Sequence, residues 1–225
     1  MKNWLTRIRK VLVDVIWPRR LFCLLCEELA DDGHLCSTCM KALQDARLTD
    51  QSGTVRSAYR YYSPAGKLVK AFKFSMLEDA VEVLTEAMAE EARAMELPPD
   101  TVITWVTMPR KRLRSRGIDH GRTLATAMGE RLGLPVKQLL IRKKDGHTQR
   151  GLNKAERMKN LTDKFWCGTS VTTPVLLIDD VRTTGATIDA CSRELLAAGA
   201  PAVYGLTATW VNQSKGDMDY GLHSP

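Results

Sequence analysis

Residues 175–187 read Val-Leu-Leu-Ile-Asp-Asp-Val-Arg-Thr-Thr-Gly-Ala-Thr, and this stretch decides the fold. A continuous apolar run, Val175 to Ile178, suits a strand buried on both faces, the kind a parallel sheet contains. It delivers Asp179 and Asp180 to its carboxyl end, where open α/β sheets bind ligands. The loop from Val181 to Thr187 then enters a helix expected over residues 188–198, with Gly199 at its end. The free N–H groups and dipole of that helix start attract an anion. Gly185 lets the backbone come close to a phosphate. Thr183, Thr184 and Thr187 supply hydroxyl donors, with Arg182 and Ala186 completing the loop. Carboxylates beside a phosphate cradle need an offset, which sugar hydroxyls or a water-shared Mg²⁺ would provide. A ribose 5-phosphate carrying further phosphates meets all of these demands. The loop lacks the Gly-Lys-Ser/Thr ending of a Walker A motif.

Outward from this stretch, strands alternate with helices. Residues 55–62 alternate like a strand, residues 102–107 form a β-branched strand, and residues 202–210 form a last strand. Residues 77–97 read as a long acidic helix stopped by Pro98-Pro99, and residues 122–132 as a second helix. Such alternation implies an α/β fold with a parallel sheet and flanking helices. Residues 66–74 place apolar side chains between Lys67, Lys70 and Lys73. Residues 110–116 read as a basic loop. Residues 142–164, polar and basic, read as a long mobile loop with a helical turn near Ala155. The last dozen residues read as a tail.

The chain has 225 residues, 44% of them hydrophobic and 26% charged, which excludes wholesale disorder and the fibrous classes. It has no apolar window long enough for a membrane span. A net charge of +7 suits an anionic partner. Residues 2–20 read as a basic amphipathic helix ended by Pro18, either docked on its own protein or touching a partner or membrane surface. No cleavable signal peptide is evident, so a reducing cytoplasm is the expected setting. There the spacing Cys23-x2-Cys26-x9-Cys36-x2-Cys39 reads as a closed, structural four-cysteine zinc site rather than disulfides. A redox dithiol is the alternative, although it usually needs a single CxxC. His34 lies close but is not needed as a ligand. Cys167 and Cys191 read as buried small hydrophobes.

The stretch at 175–187 resembles the 5-phosphoribosyl 1-pyrophosphate (PRPP) signature of type I phosphoribosyltransferases. A cysteine module ahead of such a domain resembles the ComF family, which includes competence proteins and GntX-type DNA-utilisation proteins. Lys70-Ala-Phe-Lys-Phe74 is similar to the family's Lys-x-x-Lys-Phe, Val106-Thr-Met-Pro109 to its Val-Pro strand end, and Arg116-Gly117 to its Arg-Gly. Arg142, Gln149, Leu152, Arg157, Asn160 and Phe165 follow its basic loop in order. Where the family usually has Arg-Gly-Phe-Asn-Gln, residues 116–120 read Arg-Gly-Ile-Asp-His. His120 is expected as a surface residue at a helix start, or as a donor in place of the amide.

The resemblance implies a basic helix and a double-zinc-ribbon-like module of four cysteines over residues 1–50, then a type I phosphoribosyltransferase-like domain over 51–225. It implies that Asp179 and Asp180 meet the ribose hydroxyls, as the catalytic pair of any reaction, and that Arg182 to Thr187 hold the 5-phosphate. Arg110, Lys111, Arg116 and Gly117 would face pyrophosphate, and Arg142, Gln149 and Arg157 would belong to a flexible basic cover. Mg²⁺ would accompany PRPP, and Zn²⁺ would be structural. The implied function is accessory to uptake or use of external single-stranded DNA, in competence or nutrition. The alternative is an active phosphoribosyltransferase acting on a nucleobase or related amine. Implied partners are PRPP, single-stranded DNA, and a DNA-uptake helicase or recombination mediator. The implied place is the cytoplasm, with peripheral contact at the inner face of the membrane left open. Arg56, Tyr59, Arg60, Tyr61, Tyr62, Lys70, Phe72, Lys73 and Phe74 interleave cations with aromatics, as a base-stacking groove or as ordinary core with solvated lysines.

Overall fold

A computed structural model describes residues 22–31, 33–49, 51–75, 78–142 and 164–211. The basic helix expected at 2–20, most of the loop at 142–164, including Gln149 and Arg157, and the C-terminal tail lie outside the described residues. In chain order the elements are α1 (Ser37–Gln44), β1 (Val55–Arg60), α2 (Pro64–Ser75), α3 (Glu78–Arg93), β2 (Val102–Trp105), α4 (Arg110–Arg116), α5 (His120–Leu132), β3 (Leu140–Arg142), β4 (Phe165–Cys167), β5 (Val175–Arg182), α6 (Ala186–Ala197) and β6 (Val203–Trp210). Among the described residues, no helix is long and apolar enough to cross a membrane.

The strands assemble as expected into a parallel sheet, ordered β1-β6-β5-β2. β5 is central, and its side chains alternate between two cores. Leu176 and Ile178 pack with Leu68, Leu84, Met88, Leu124 and Met128 beneath α2, α3 and α5. Val175 and Leu177 pack with Ile188, Cys191 and Leu195 of α6 on the other face. Burial on both faces is why this strand carries no polar residue until Asp179. Both sheet edges are covered. Leu48 donates to the Ala58 carbonyl and Arg60 to that of Ala46 at the β1 edge. Ile103 donates to the Pro135 carbonyl, and Lys137 to that of Ile103, at the β2 edge.

Several expectations are corrected. β5 does not stop at Ile178 but runs to Arg182. β6 pairs with it throughout, with Asp179 opposite Thr207 and Val181 opposite Thr209, so the ladder outlasts the burial. The basic stretch 110–116 is a helix, not a loop. Arg and Lys are good helix formers, and Gly117, at φ +74°, closes the last turn. The acidic helix ends at Arg93, four residues short of Leu97, and the chain turns through Glu96 at φ +50° before the two prolines. Residues 64–75 form a helix, and an antiparallel ribbon of β3 and β4, unforeseen, packs beside α6.

This topology opens a crevice. After β2 the chain passes through α4 and α5 to residues 135–137, outside β2. After β5 it passes through α6 to β6, on the opposite side. The carboxyl ends of β2 and β5 therefore diverge, and the gap between them is the switch point where open sheets accept ligands. Gly121 is required at its wall. A Cβ there would lie 2.9 Å from the Val106 carbonyl oxygen, so only glycine lets α5 begin against the end of β2.

Candidate functional site at the carboxyl edge of the sheet

The two acids of β5 leave the core at the crevice on opposite faces of the strand. Asp179 Oδ1 accepts the Asp180 N–H at 2.9 Å. Burial, then the neighbouring charge of Asp180, push the Asp179 carboxyl up to about 8, against the opposing pull of that hydrogen bond and of Lys73. Asp180 Oδ1 stands 2.9 Å from Lys73 Nζ. A hydroxyl ladder lies beneath the pair. Ser57 and Thr207 share a hydrogen bond of 2.7 Å, Thr207 donates to the Thr209 carbonyl, and Thr209 donates to that of Asp180. These hydroxyls satisfy a polar strip inside the sheet, which would otherwise be costly to bury.

The crevice wall comes from α2 and the start of α5. His120 is only 1% exposed, so the expectation of a surface residue fails. Its ring meets Phe72 edge-on, centroids 4.8 Å apart, with the Lys73 backbone beside it. Burial, then the Arg116 charge, hold it below the ordinary histidine value, with Asp180 pulling the other way. The preceding Asp119 caps α5: one carboxylate oxygen accepts the Arg122 N–H, the other the Trp105 indole N–H at 3.1 Å. At the end of β2, the Thr107 hydroxyl is buried without a partner, as is His120 Nδ1. Sequence reading did not place Lys73 or Thr107 in the site. For Lys73 the signal was present in the Lys-x-x-Lys-Phe stretch.

The Thr/Gly turn sits where expected. Gly185 holds φ +82° at the N-cap of α6, a conformation that glycine adopts without strain. Thr183 and Thr184 are exposed, Thr187 half-buried, and Thr184 Oγ1 accepts the Ala186 N–H at 3.4 Å. Arg182 is turned aside, its guanidinium 4.3 Å over the Trp210 ring and donating to the Val55 carbonyl. Arg110, Lys111, Arg112 and Arg114 are exposed along α4, which is rooted at the same edge of the sheet. Arg116 lies over the Phe74 ring at 5.2 Å, and Arg142 over Phe165 at 5.3 Å. Of the aromatics, Tyr59 and Phe72 are core, while Tyr62 and Phe74 are exposed.

The sulfurs of Cys23, Cys26, Cys36 and Cys39 all lie within 4.8 Å of one another. Zinc–sulfur bonds of about 2.3 Å in a tetrahedron place sulfurs about 3.8 Å apart, so the cluster fits a zinc ion. Burial opposes ionisation of Cys23, but the N–H groups of Cys36, Leu25 and Cys26 overcome it and bring the thiol down to about 7. Burial and the crowding of the other sulfurs push Cys39 up. Four clustered sulfurs cannot all ionise without a cation among them. Leu35, Leu43 and Ala46 of this module join the core beneath α3. Cys191 is buried on the inner face of α6, but Cys167, against expectation, is only half-buried, its sulfur 3.4 Å from the Thr169 carbonyl. A divalent cation resident on the Asp pair does not fit in the same way, because Lys73 already occupies Asp180.

Two outcomes follow from these geometries. Removing zinc with a chelator, or Cys36→Ser, should lower the unfolding midpoint of the whole chain rather than release a separate module. Calorimetry with metal analysis checks this, and a single shifted transition is expected. For Asp179, the folded chain keeps a proton between 3.8 and about 8 that the unfolded chain has released. Stability therefore falls as pH rises through that window. Asp179→Asn should unfold at a higher temperature than wild type, with a gap that widens from pH 5 to pH 8 in melts monitored by circular dichroism.

No family model matches the chain. It is 28% identical to Competence protein F of Haemophilus influenzae over 152 residues, 64% of this chain and 66%, just under two thirds, of that protein. Similar solved structures include the glutamine PRPP amidotransferase from B. subtilis, with TM-score 0.39, 22% identity, and 56% of this chain against 25% of that one. They also include orotate phosphoribosyltransferase from Aeropyrum pernix, with TM-score 0.38, 17% identity, and coverage of 63% and 62%. Adenine phosphoribosyltransferase from Leishmania tarentolae gives TM-score 0.38, 14% identity, and coverage of 67% and 76%. In sequence the chain is similar to a competence protein, which agrees with the ComF-family resemblance that its own motifs carry.

Proposed function

We propose that this chain is a ComF-type accessory protein for uptake or use of external single-stranded DNA, acting in the cytoplasm with a phosphoribosyltransferase-type site that binds PRPP. The observation that carries the small-ligand half is the order found at the crevice: two acids, a Thr-Thr-Gly turn at a helix N-cap, and a buried partnerless hydroxyl on the facing strand end. The similarity to Competence protein F supports the DNA half.

In this reading, the N–H groups and hydroxyls of residues 183–187 hold the 5-phosphate at the positive end of α6. Asp179, which keeps its proton near neutral pH, and Asp180 receive the ribose hydroxyls. Thr107 and the α4 cations face the pyrophosphate end. Mg²⁺ is a companion of the ligand in solution, and no step is assigned to it. Arg182, engaged with Trp210, supports the turn from beside it rather than contacting phosphate. The exposed cations of α4 continue outward from the crevice and give single-stranded DNA a phosphate track. A DNA-uptake helicase or recombination mediator is the class of protein partner that such a role requires.

PRPP at about one hundred times its Kd stabilises a protein that binds it only when folded by about 2.7 kcal/mol. For a chain of this size that raises the unfolding midpoint by about 5–10 °C. The rise should grow with the logarithm of PRPP concentration in wild type and be absent from the double variant Asp179→Ala/Asp180→Ala. Wild type without any rise would remove PRPP as the ligand. For DNA, replacing Arg110, Lys111, Arg112 and Arg114 by alanine should flatten the dependence of log affinity on log salt by about 3 units, as neutralised phosphates are lost. An unchanged slope in fluorescence-anisotropy titrations with a labelled oligonucleotide would show that α4 does not track the strand.

A further inference from the structure

Paired carboxylates at a phosphate site ordinarily share a divalent cation, which demands several oxygen ligands at about 2.0–2.1 Å in the case of Mg²⁺. Here a different group is in place. Lys73 Nζ lies 2.9 Å from Asp180 Oδ1, with the two side chains only 21% and 17% exposed. An ammonium so placed occupies the approach to that oxygen and repels a second cation.

The lysine is not a stray surface residue. α2 begins just after β1 ends, and its last turn reaches Asp180, so both ends of this helix lie at the carboxyl edge of the sheet. Three consecutive residues of that turn are anchored separately. Phe72, 3% exposed, meets the His120 ring edge-on. The Phe74 ring lies under the Arg116 guanidinium. Between them the Lys73 backbone lies beside the buried His120 ring, and its side chain is directed to Asp180.

We propose that Lys73 is a built-in counter-ion that takes the place of a divalent cation at the Asp179–Asp180 pair, and that Phe72 and His120 position it there. An ammonium has three donors. With one on Asp180, the others are left to meet an anionic group of the ligand. The free site then accepts a phosphorylated sugar without first loading a metal. This deepens the reading of the acid pair as a ligand site, but its test uses no PRPP, so failure of either leaves the other standing.

The test is Mn²⁺ uptake by the ligand-free, zinc-loaded protein, read by electron paramagnetic resonance of the free ion. Wild type should take up no Mn²⁺ that Asp180→Asn abolishes, a result that needs no folded Lys73 variant. Lys73→Met should gain one Mn²⁺, bound about tenfold or more tightly than any wild-type site, because a like charge has been removed. That gain should vanish in Lys73→Met/Asp180→Asn. Lys73→Arg should exclude the ion as wild type does. His120→Phe, which keeps a ring against Phe72 but loses the polar ring atoms beside the Lys73 backbone, should admit Mn²⁺ part-way. A merely structural histidine would lower the melting point without admitting the ion. Equal Mn²⁺ affinity in wild type and Lys73→Met, or no uptake by folded Lys73→Met, would overturn the proposal. Full exclusion by folded His120→Phe would remove His120 from it.

Discussion

A strand buried on both faces can release charged residues only where it leaves the core, and the rest of this structure is arranged around that exit. β5 is flanked by β2 and β6 and covered by helices on each face, so Asp179 and Asp180 emerge together at one edge. The divergence of the chain after β2 and β5 keeps that edge open. Gly121 lets α5 start close against it, and Gly185 lets α6 start beyond it. Each wall of the crevice is thus set by where a strand ends and how tightly the next helix can begin.

Two adjacent carboxylates at such a place would repel each other and any phosphate. The structure answers by removing charge rather than importing it. Asp179 keeps its proton to about 8, and Lys73 balances Asp180. The pair therefore presents little net negative charge near neutral pH, while still offering oxygens and a proton for hydrogen bonding. The cost is borne by stability: a carboxyl held protonated far above its ordinary value is a group the unfolded chain would ionise freely. The hydroxyl ladder of Ser57, Thr207 and Thr209 limits that cost by satisfying what lies beneath.

The parts of this arrangement visible in sequence are those that depend on local pattern. The apolar run at 175–178, the acids after it, the Thr-Gly turn and the paired CxxC motifs could all be read from spacing, and the parallel sheet followed from alternation. What sequence could not show depends on contacts between distant segments. Residues 66–74 have lysines at nearly helical spacing, yet nothing local says that Lys73 meets an acid more than a hundred positions away. His120 looked like a polar residue at a helix start, and only the placement of α2 over it makes it core. The basic stretch at 110–116 reads as a loop because its charges hide its helix propensity, and a helix without any buried residue carries no apolar stripe to reveal it.

The segment that departs from the ComF-family pattern the chain otherwise resembles is the one that ties these walls together. Ile118-Asp119-His120 replaces an aromatic and two amides, which in sequence looks like loss of polar contacts. In the fold, Asp119 joins the start of α5 to Trp105 at the end of β2, and His120 joins it to Phe72 and Lys73 of α2. An amide at position 120 could hydrogen-bond but could not offer an aromatic face edge to Phe72. The histidine offers that ring edge, and burial and the charge of Arg116 hold its proton affinity below the ordinary value. A second positive charge beside Lys73 would weaken the hold of Asp180 on the lysine. The substitution thus couples the end of β2, the start of α5 and the last turn of α2 without disturbing the balance of charge at the acid pair.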